Sequence, residues 1–266
     1  MAYTVGCVPY VNAIPLVHAF EVLGDSSPVR VVYDVPSKLP ALLESGEADA
    51  ILVSSVDALR NPGRRMADGV CIGSFGPVKS VRLLSRLPFQ SIKSLALDQS
   101  SMTSNRLAQI LLREHFGVQP ETRHEPPDLH QMLSSADACV LIGDIGMQAS
   151  GEGLHVLDLG QAWTNLTGKP FVWAAWIGEE RLTPELAHHL QEAATQPGPS
   201  LLDCAQRRSG WELGVLNDYL LSTMRYEMNA QMVEGLREFR DRLLSSGFED
   251  CHHFPTLVPA AAPALG

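Results

Sequence analysis

The sequence predicts an α/β protein of two lobes with a ligand cleft between them, and three observations carry that prediction. Residues 3–53 alternate strand and helix patterns in the order β-α-β-α-β, the signature of a sheet with parallel members. A second alternating set occupies residues ~88–173. The chain leaves the first set near residue 85 and returns near residue 174 in a strongly apolar strand. The expected division is 1–87 plus 175–266 for one lobe and 88–174 for the other, with 255–266 as a frayed Ala/Pro-rich tail.

Each element has a local reason. Residues 3–8 read as the first strand, closed by Pro9, and a helix starts near Ile14 with Pro15 in its first turn. Residues 29–33 form a β-branched strand, 36–44 a helix stopped by Gly46, and 48–53 a third strand. Residues 70–73 lead into Gly76-Pro77-Val78-Lys79-Ser80, and 81–84 form a strand. Ser94–Asp98 is a short buried strand that turns into a helix over 105–113. A short strand within 115–123, a helix over 128–133 and a strand over 138–142 complete the second set. Residues 164–170 read as a polar turn ahead of the strand 171–176. Helices follow at 184–194, 201–209, 214–224 and 228–244, the last with Met228, Met232, Leu236, Phe239 and Leu243 on one core-facing stripe.

Composition narrows the function. The chain has 266 residues, 45% hydrophobic, with a net charge of −10. There is no Lys/Arg-rich run, so nucleic acid is not an expected partner. Five cysteines, Cys7, Cys71, Cys139, Cys204 and Cys251, are widely spaced with no C-x-x-C pair, the pattern of a reducing compartment. The N-terminus has no basic n-region, and no apolar run is long enough to span a bilayer. A cytoplasmic protein without a membrane partner, monomer or homodimer, is expected.

Four polar turns end apolar strands: Tyr10 to Asn12, Ser54-Ser55, Ser100 to Ser104, and Gly143-Asp144. A fifth polar pair, Lys79-Ser80, precedes a strand. The turn at 100–104 carries four hydroxyls where capping needs one. Hydroxyls beside the free N–H groups of a helix N-terminus suit a carboxylate or phosphate. Ser55, Ser80, Ser101, Thr103 and Ser104 are the candidate binding residues. Asn12 either orients a ligand hydroxyl or carboxylate or caps the helix after it. Asp144 is either a general base, a hydroxyl ligand or a helix cap. The roles of Lys79 and Cys7 stay open. Cys251-His252-His253 lacks a second Cys/His pair, so no metal is expected. No G-x-S-x-G, Walker A or G-x-G-x-x-G motif occurs.

Six stretches in order resemble the chorismate dehydratases of the futalosine route to menaquinone (the MqnA family). They are residues 6–16 (GCVPYVNAIPL), 74–85 (SFGPVKSVRLLS), 97–112 (LDQSSMTSNRLAQILL), 142–146 (IGDIG), 158–163 (DLGQAW) and 167–176 (TGKPFVWAAW). The resemblance implies a two-lobed periplasmic-binding-protein-like (type II) fold in a cytoplasmic enzyme. It implies conversion of chorismate to 3-[(1-carboxyvinyl)oxy]benzoate and water, without a metal or organic cofactor. By motif position it implies a pocket of Asn12, Ser80, Ser101, Thr103, Ser104 and Asp144, with Asn12 and Asp144 as the catalytic candidates. The base is either Asp144 or the substrate's own enolpyruvyl carboxylate. Three other readings compete: a non-catalytic carboxylate-binding protein, a 1,4-dihydroxy-6-naphthoate synthase-like enzyme with a histidine base, and a sensing domain parted from a regulator.

Overall fold

The computed structural model describes residues 2–262 apart from 197 and 199. Its strands are β1 (Tyr3–Cys7), β2 (Val29–Tyr33), β3 (Ala50–Ser54), β4 (Arg65–Ser74), β5 (Arg82–Ser85), β6 (Ser94–Asp98), β7 (Glu121–Glu125), β8 (Ala138–Leu141), β9 (His155–Asp158), β10 (Phe171–Gly178), β11 (Met224–Arg225) and β12 (Thr256–Val258). A 7-stranded sheet runs β11-β4-β10-β3-β1-β2, with β12 also on β4, and a 5-stranded sheet runs β7-β6-β8-β5-β9.

The two sheets repeat one plan. In the first, β1 pairs in parallel with β2 on one side and β3 on the other. In the second, β6 pairs in parallel with β7 and β8. Both sets are completed by antiparallel strands, β10 against β3 and β5 against β8. The central strands β3 and β8 are buried on both faces, which explains their continuous apolar runs Ala50-Ile51-Leu52-Val53 and Ala138-Cys139-Val140-Leu141.

The chain changes sheets earlier than the sequence suggests. β5 belongs to the second sheet, pairing with β8 and β9, and all of β10 belongs to the first. The crossings therefore fall at residues 75–81 and 159–170 rather than at 87 and 174. The tail also differs from expectation: Thr256–Val258 is not frayed but pairs in parallel with Arg65 to Ala67 of β4, and Val258 is buried. Residues 263–266 lie outside those described.

Helices differ where local chemistry intervenes. The helix expected from residue 14 is a 3-10 turn, Val11–Leu16, followed by a helix at His18–Leu23. Pro15 inside that turn has no N–H for an α-helical ladder. Residues 164–170 are not a free turn. A helix at Leu159–Thr167 starts on the Asp158 cap, which accepts from the Gln161 N–H at 3.0 Å, and ends at left-handed Gly168. Its Trp163 packs edge-on against Phe171 and Phe239, and the stripe from Met228 to Leu243 is buried as predicted.

Candidate active site

Because β1 and β6 each lie between two parallel partners, strand order reverses at each of them. Such reversals open a crevice beyond the carboxyl ends of the strands. The turns leaving β1, β3, β6 and β8 all meet there. They bring Tyr10 and Asn12, Ser54, Ser100, Ser101, Thr103 and Ser104, and Ile142-Gly143 to one pocket. Val78, Ser80, Trp173 and Met224 close it. Its empty space, counted to the open mouth, is about 670 Å³.

The hydroxyl turn forms one wall. The helix Thr103–Phe116 buries Leu107, Ile110 and Leu111 and ends at left-handed Gly117 with Arg113 and His115 in its last turn. Its first N–H groups meet serine hydroxyls: Thr103 N–H donates to Ser54 Oγ at 3.0 Å, and Ser104 N–H to Ser101 Oγ at 3.3 Å. A hydroxyl that accepts in this way still has its own proton to give. Ser101 thus extends the positive helix end toward the pocket as a neutral donor, and Ser104, in the first turn of the helix, lines the pocket beside it. Asn105 fixes the turn by donating to Asp98 O at 2.8 Å and to Ser101 O.

Thr103 also joins the two sheets. Its hydroxyl accepts from the Val56 N–H at 3.2 Å, lies 3.3 Å from Ser55 Oγ, and hydrogen-bonds Ser54. Ser55 is fully buried and donates to the Val172 carbonyl at 2.8 Å. It is not among the residues lining the pocket, and Ser54 lines it in place of the expected Ser55.

Ser80 sits on a loop held from both sides. Asp158 accepts from Val78 N–H at 3.0 Å and from Lys79 N–H at 2.7 Å. Lys79 takes a left-handed φ of 65°, an uncommon conformation for a side chain of this size. Its ammonium is turned to Asp218, away from the pocket. Ser80 is fully buried, and the Tyr219 hydroxyl donates to its Oγ at 2.7 Å. The loop packs directly on Gly146 of the helix Gly143–Gln148.

Asn12 lines the pocket, and its Oδ1 is buried with no hydrogen-bond partner. Asp144 stands beside it but outside the pocket lining. Its Oδ1 accepts from the Val11 N–H at 3.4 Å, and the carboxylate opens toward a neighbouring cavity with Pro9, Val35, Asp98 and Ile145. Burial raises the Asp144 carboxyl above its ordinary value, and the Val11 N–H offsets part of that rise. Asp98 is raised for the same reason, although Ser100 donates to it from both its hydroxyl and its N–H. None of the described lining residues is a lysine, arginine or histidine.

Sequence reasoning placed Ser54 in a candidate turn but chose its neighbour Ser55, and it missed Tyr219 and Asp158 as parts of the site. Ser54 was discoverable from the hydroxyl ending β3, whereas Tyr219 and Asp158 act across more than 75 residues of chain. Cys7 lies deep, with its thiol donating to Val8 O at 3.4 Å and pushed up by burial. Away from the pocket, His18, Glu21 and Cys204 bring ligand atoms within 4.8 Å of one another. Glu21 there is already neutralised by Arg208 at 2.7 Å and hydrogen-bonded by Tyr33.

Two mixed α/β lobes with a neutral, hydroxyl-lined cleft between them define a periplasmic-binding-protein-like fold. Solved structures agree. A protein from Archaeoglobus fulgidus superposes with a TM-score of 0.73 at 16% identity, covering 92% of this chain and 97% of that one. The periplasmic aliphatic sulphonate binding protein of Escherichia coli gives 0.62 at 14% identity, covering 100% and 96%. At such identities the likeness shows the fold alone. The chain belongs to the menaquinone biosynthesis family, whose profile matches residues 3–244. It is 30% identical over 264 residues to the chorismate dehydratase of Thermus thermophilus, covering 91% of this chain and 95% of that protein. It is 29% identical over 175 residues to the chorismate dehydratase of Campylobacter jejuni, covering 64% of each.

Proposed function

We propose that this protein is a cytoplasmic lyase that dehydrates chorismate to 3-[(1-carboxyvinyl)oxy]benzoate, without a metal or organic cofactor. The observation that carries the reading is the convergence of four strand-end turns on one hydroxyl-lined pocket. The similarity to two chorismate dehydratases supports it.

The pocket suits the chemistry. The C3 hydrogen of chorismate is acidic because the ring alkene conjugates it to the ring carboxylate. Its removal gives a dienolate, and departure of the C4 hydroxyl then makes the ring aromatic. The proton leaves C3 for a base and ends on the departing hydroxide, so the products are the aryl ether and water. Ser101 and Ser104, at the positive end of their helix, hold the ring carboxylate. They stabilise the extra charge of the dienolate more than the ground state, which is what accelerates the step. Thr103 spends its hydroxyl on the contact between the sheets and supports this wall without binding substrate directly. Asn12 accepts from the C4 hydroxyl and Ser80 donates to it as it departs.

The substrate's enolpyruvyl carboxylate is the base, because Asp144 faces the adjoining cavity and is tied to the Val11 N–H. Asp144→Asn should therefore change kcat by less than about tenfold, well short of the ~10²–10⁴ that a general base supplies. Its effect on stability has a definite sign. The folded carboxyl titrates above its ordinary value, so the stability it contributes is present at low pH and lost as pH rises through the raised value. The Asn variant should escape that loss and denature at higher urea concentration than wild type near pH 7, but not near pH 3. A collapse of kcat with substrate affinity intact would make Asp144 the base instead.

The direct test is to incubate the protein with chorismate and search for an aromatic product lighter by one water. Tight binding with no product would make it a carboxylate-binding protein.

A further inference from the structure

We propose that Tyr219 and Asp218 are positioning residues that aim the Ser80 hydroxyl into the pocket, a role that rests on the dehydratase reading. The two residues open a π-helical turn, Asp218–Thr223, inserted between the helix Leu213–Asn217 and β11. π-Helical turns are rare, and the single turns that interrupt α-helices are frequent at functional sites.

Consecutive residues of this turn grip consecutive residues of the loop. Asp218 pairs with the Lys79 ammonium, and Tyr219 donates to Ser80 Oγ at 2.7 Å. The end of the same turn is fixed to the start of that loop, since Met224 pairs with Ser74. The loop backbone needs such holding, because Lys79 sits at φ 65°. Tyr219 is fully buried and does not line the pocket, so it acts through Ser80.

The direction of the hydrogen bond gives the consequence. Ser80 accepts from Tyr219 and turns its own proton to Val78 O across a long 3.4 Å. So weak a contact yields to a ligand in the pocket, and the incoming tyrosine bond strengthens Ser80 as a donor to it. Without Tyr219 the serine rotor loses its shortest hydrogen bond and is free to offer the pocket a lone pair, which the departing hydroxide cannot use.

The test compares Tyr219→Phe, Asp218→Asn, Ser80→Ala and the Tyr219→Phe/Ser80→Ala double variant in the full chain. Phenylalanine keeps the buried ring and removes only the donor. Tyr219→Phe should lower kcat about tenfold with KM within about twofold, the size of one lost hydrogen bond made in the transition state. In the Ser80→Ala background the same change should have no further effect. Tyr219→Phe at wild-type kcat, or a loss that multiplies independently with Ser80→Ala, overturns the proposal. Amide exchange at residues 76–81 provides a readout free of turnover. Faster exchange in Tyr219→Phe and Asp218→Asn supports the anchoring even if wild type leaves chorismate untouched, a result that would defeat the dehydratase reading alone. Unchanged exchange together with inert wild type overturns both.

Discussion

Gly146→Ala is expected to cut kcat by about 10²-fold, the cost of displacing a catalytic group by roughly an ångström. A Cβ at this position would lie 2.2 Å from the Ser80 carbonyl oxygen and 2.8 Å from that of Leu141. Both obstacles are backbone, so neither can swing aside like the end of a long side chain. The helix carrying Gly146 cannot retreat easily either. Arg82 is clamped to its end, donating to Gly146 O from Nε at 2.7 Å and to Ala149 O at 2.6 Å. The Ser80 loop must therefore move. Overpacking of this kind costs ~1–3 kcal/mol, so Tm should fall by several degrees. Steady-state kinetics beside a thermal melt would check both effects. Wild-type kcat in a folded Gly146→Ala variant would mean that Ser80 does not need its present place.

Asn12→Ala is the second large effect and should separate activity from stability. Asn12 Oδ1 is buried in the pocket without a donor. Such an atom burdens the folded state by about 1–3 kcal/mol until a ligand supplies the missing hydrogen bond. Removing it should leave the urea midpoint unchanged or higher. The same change should lower kcat by about 10²-fold, comparable to losing one preorganised polar group at a reacting centre. Full activity in Asn12→Ala would remove Asn12 from the mechanism. A loss of activity matched by a loss of stability would make it structural.

Much of this was legible in the sequence because strand ends announce themselves. Apolar runs such as Ala50-Ile51-Leu52-Val53 stop at hydroxyls, and the topology carries those stops to one crevice. What escaped depends on geometry that one-dimensional pattern does not encode. Ser54 and Ser55 are adjacent, and the backbone at the end of β3 sets Ser54 on the pocket and turns the Ser55 hydroxyl behind it, to Val172. The helix Leu159–Thr167 includes four poor helix formers, Gly160, Thr164, Asn165 and Thr167, and is held by its Asp158 cap and tertiary packing. Residues 214–224 carry a helical apolar period that does not reveal where an α-turn widens to a π-turn. The strand Thr256–Val258 is three residues in an Ala/Pro-rich tail, and only its partner β4 makes it a strand. The sequence resemblance named the pocket serines, but the tyrosine behind Ser80 lies outside all six of the stretches that carry it.

The neutral lining of the pocket sets how this protein responds to ionic strength. The chain carries a net charge of −10, and the described lining residues include no cation, so a dianionic substrate approaches against a repelling field. That repulsion is long-ranged and fades as the Debye length shrinks toward ~8 Å at physiological salt. The hydroxyl contacts proposed for the substrate would act at hydrogen-bond distance, well inside any ion atmosphere, and would not be screened. Added salt should therefore raise kcat/KM by easing capture while leaving kcat in place, the reverse of enzymes that draw in anionic substrates with arginine and lysine.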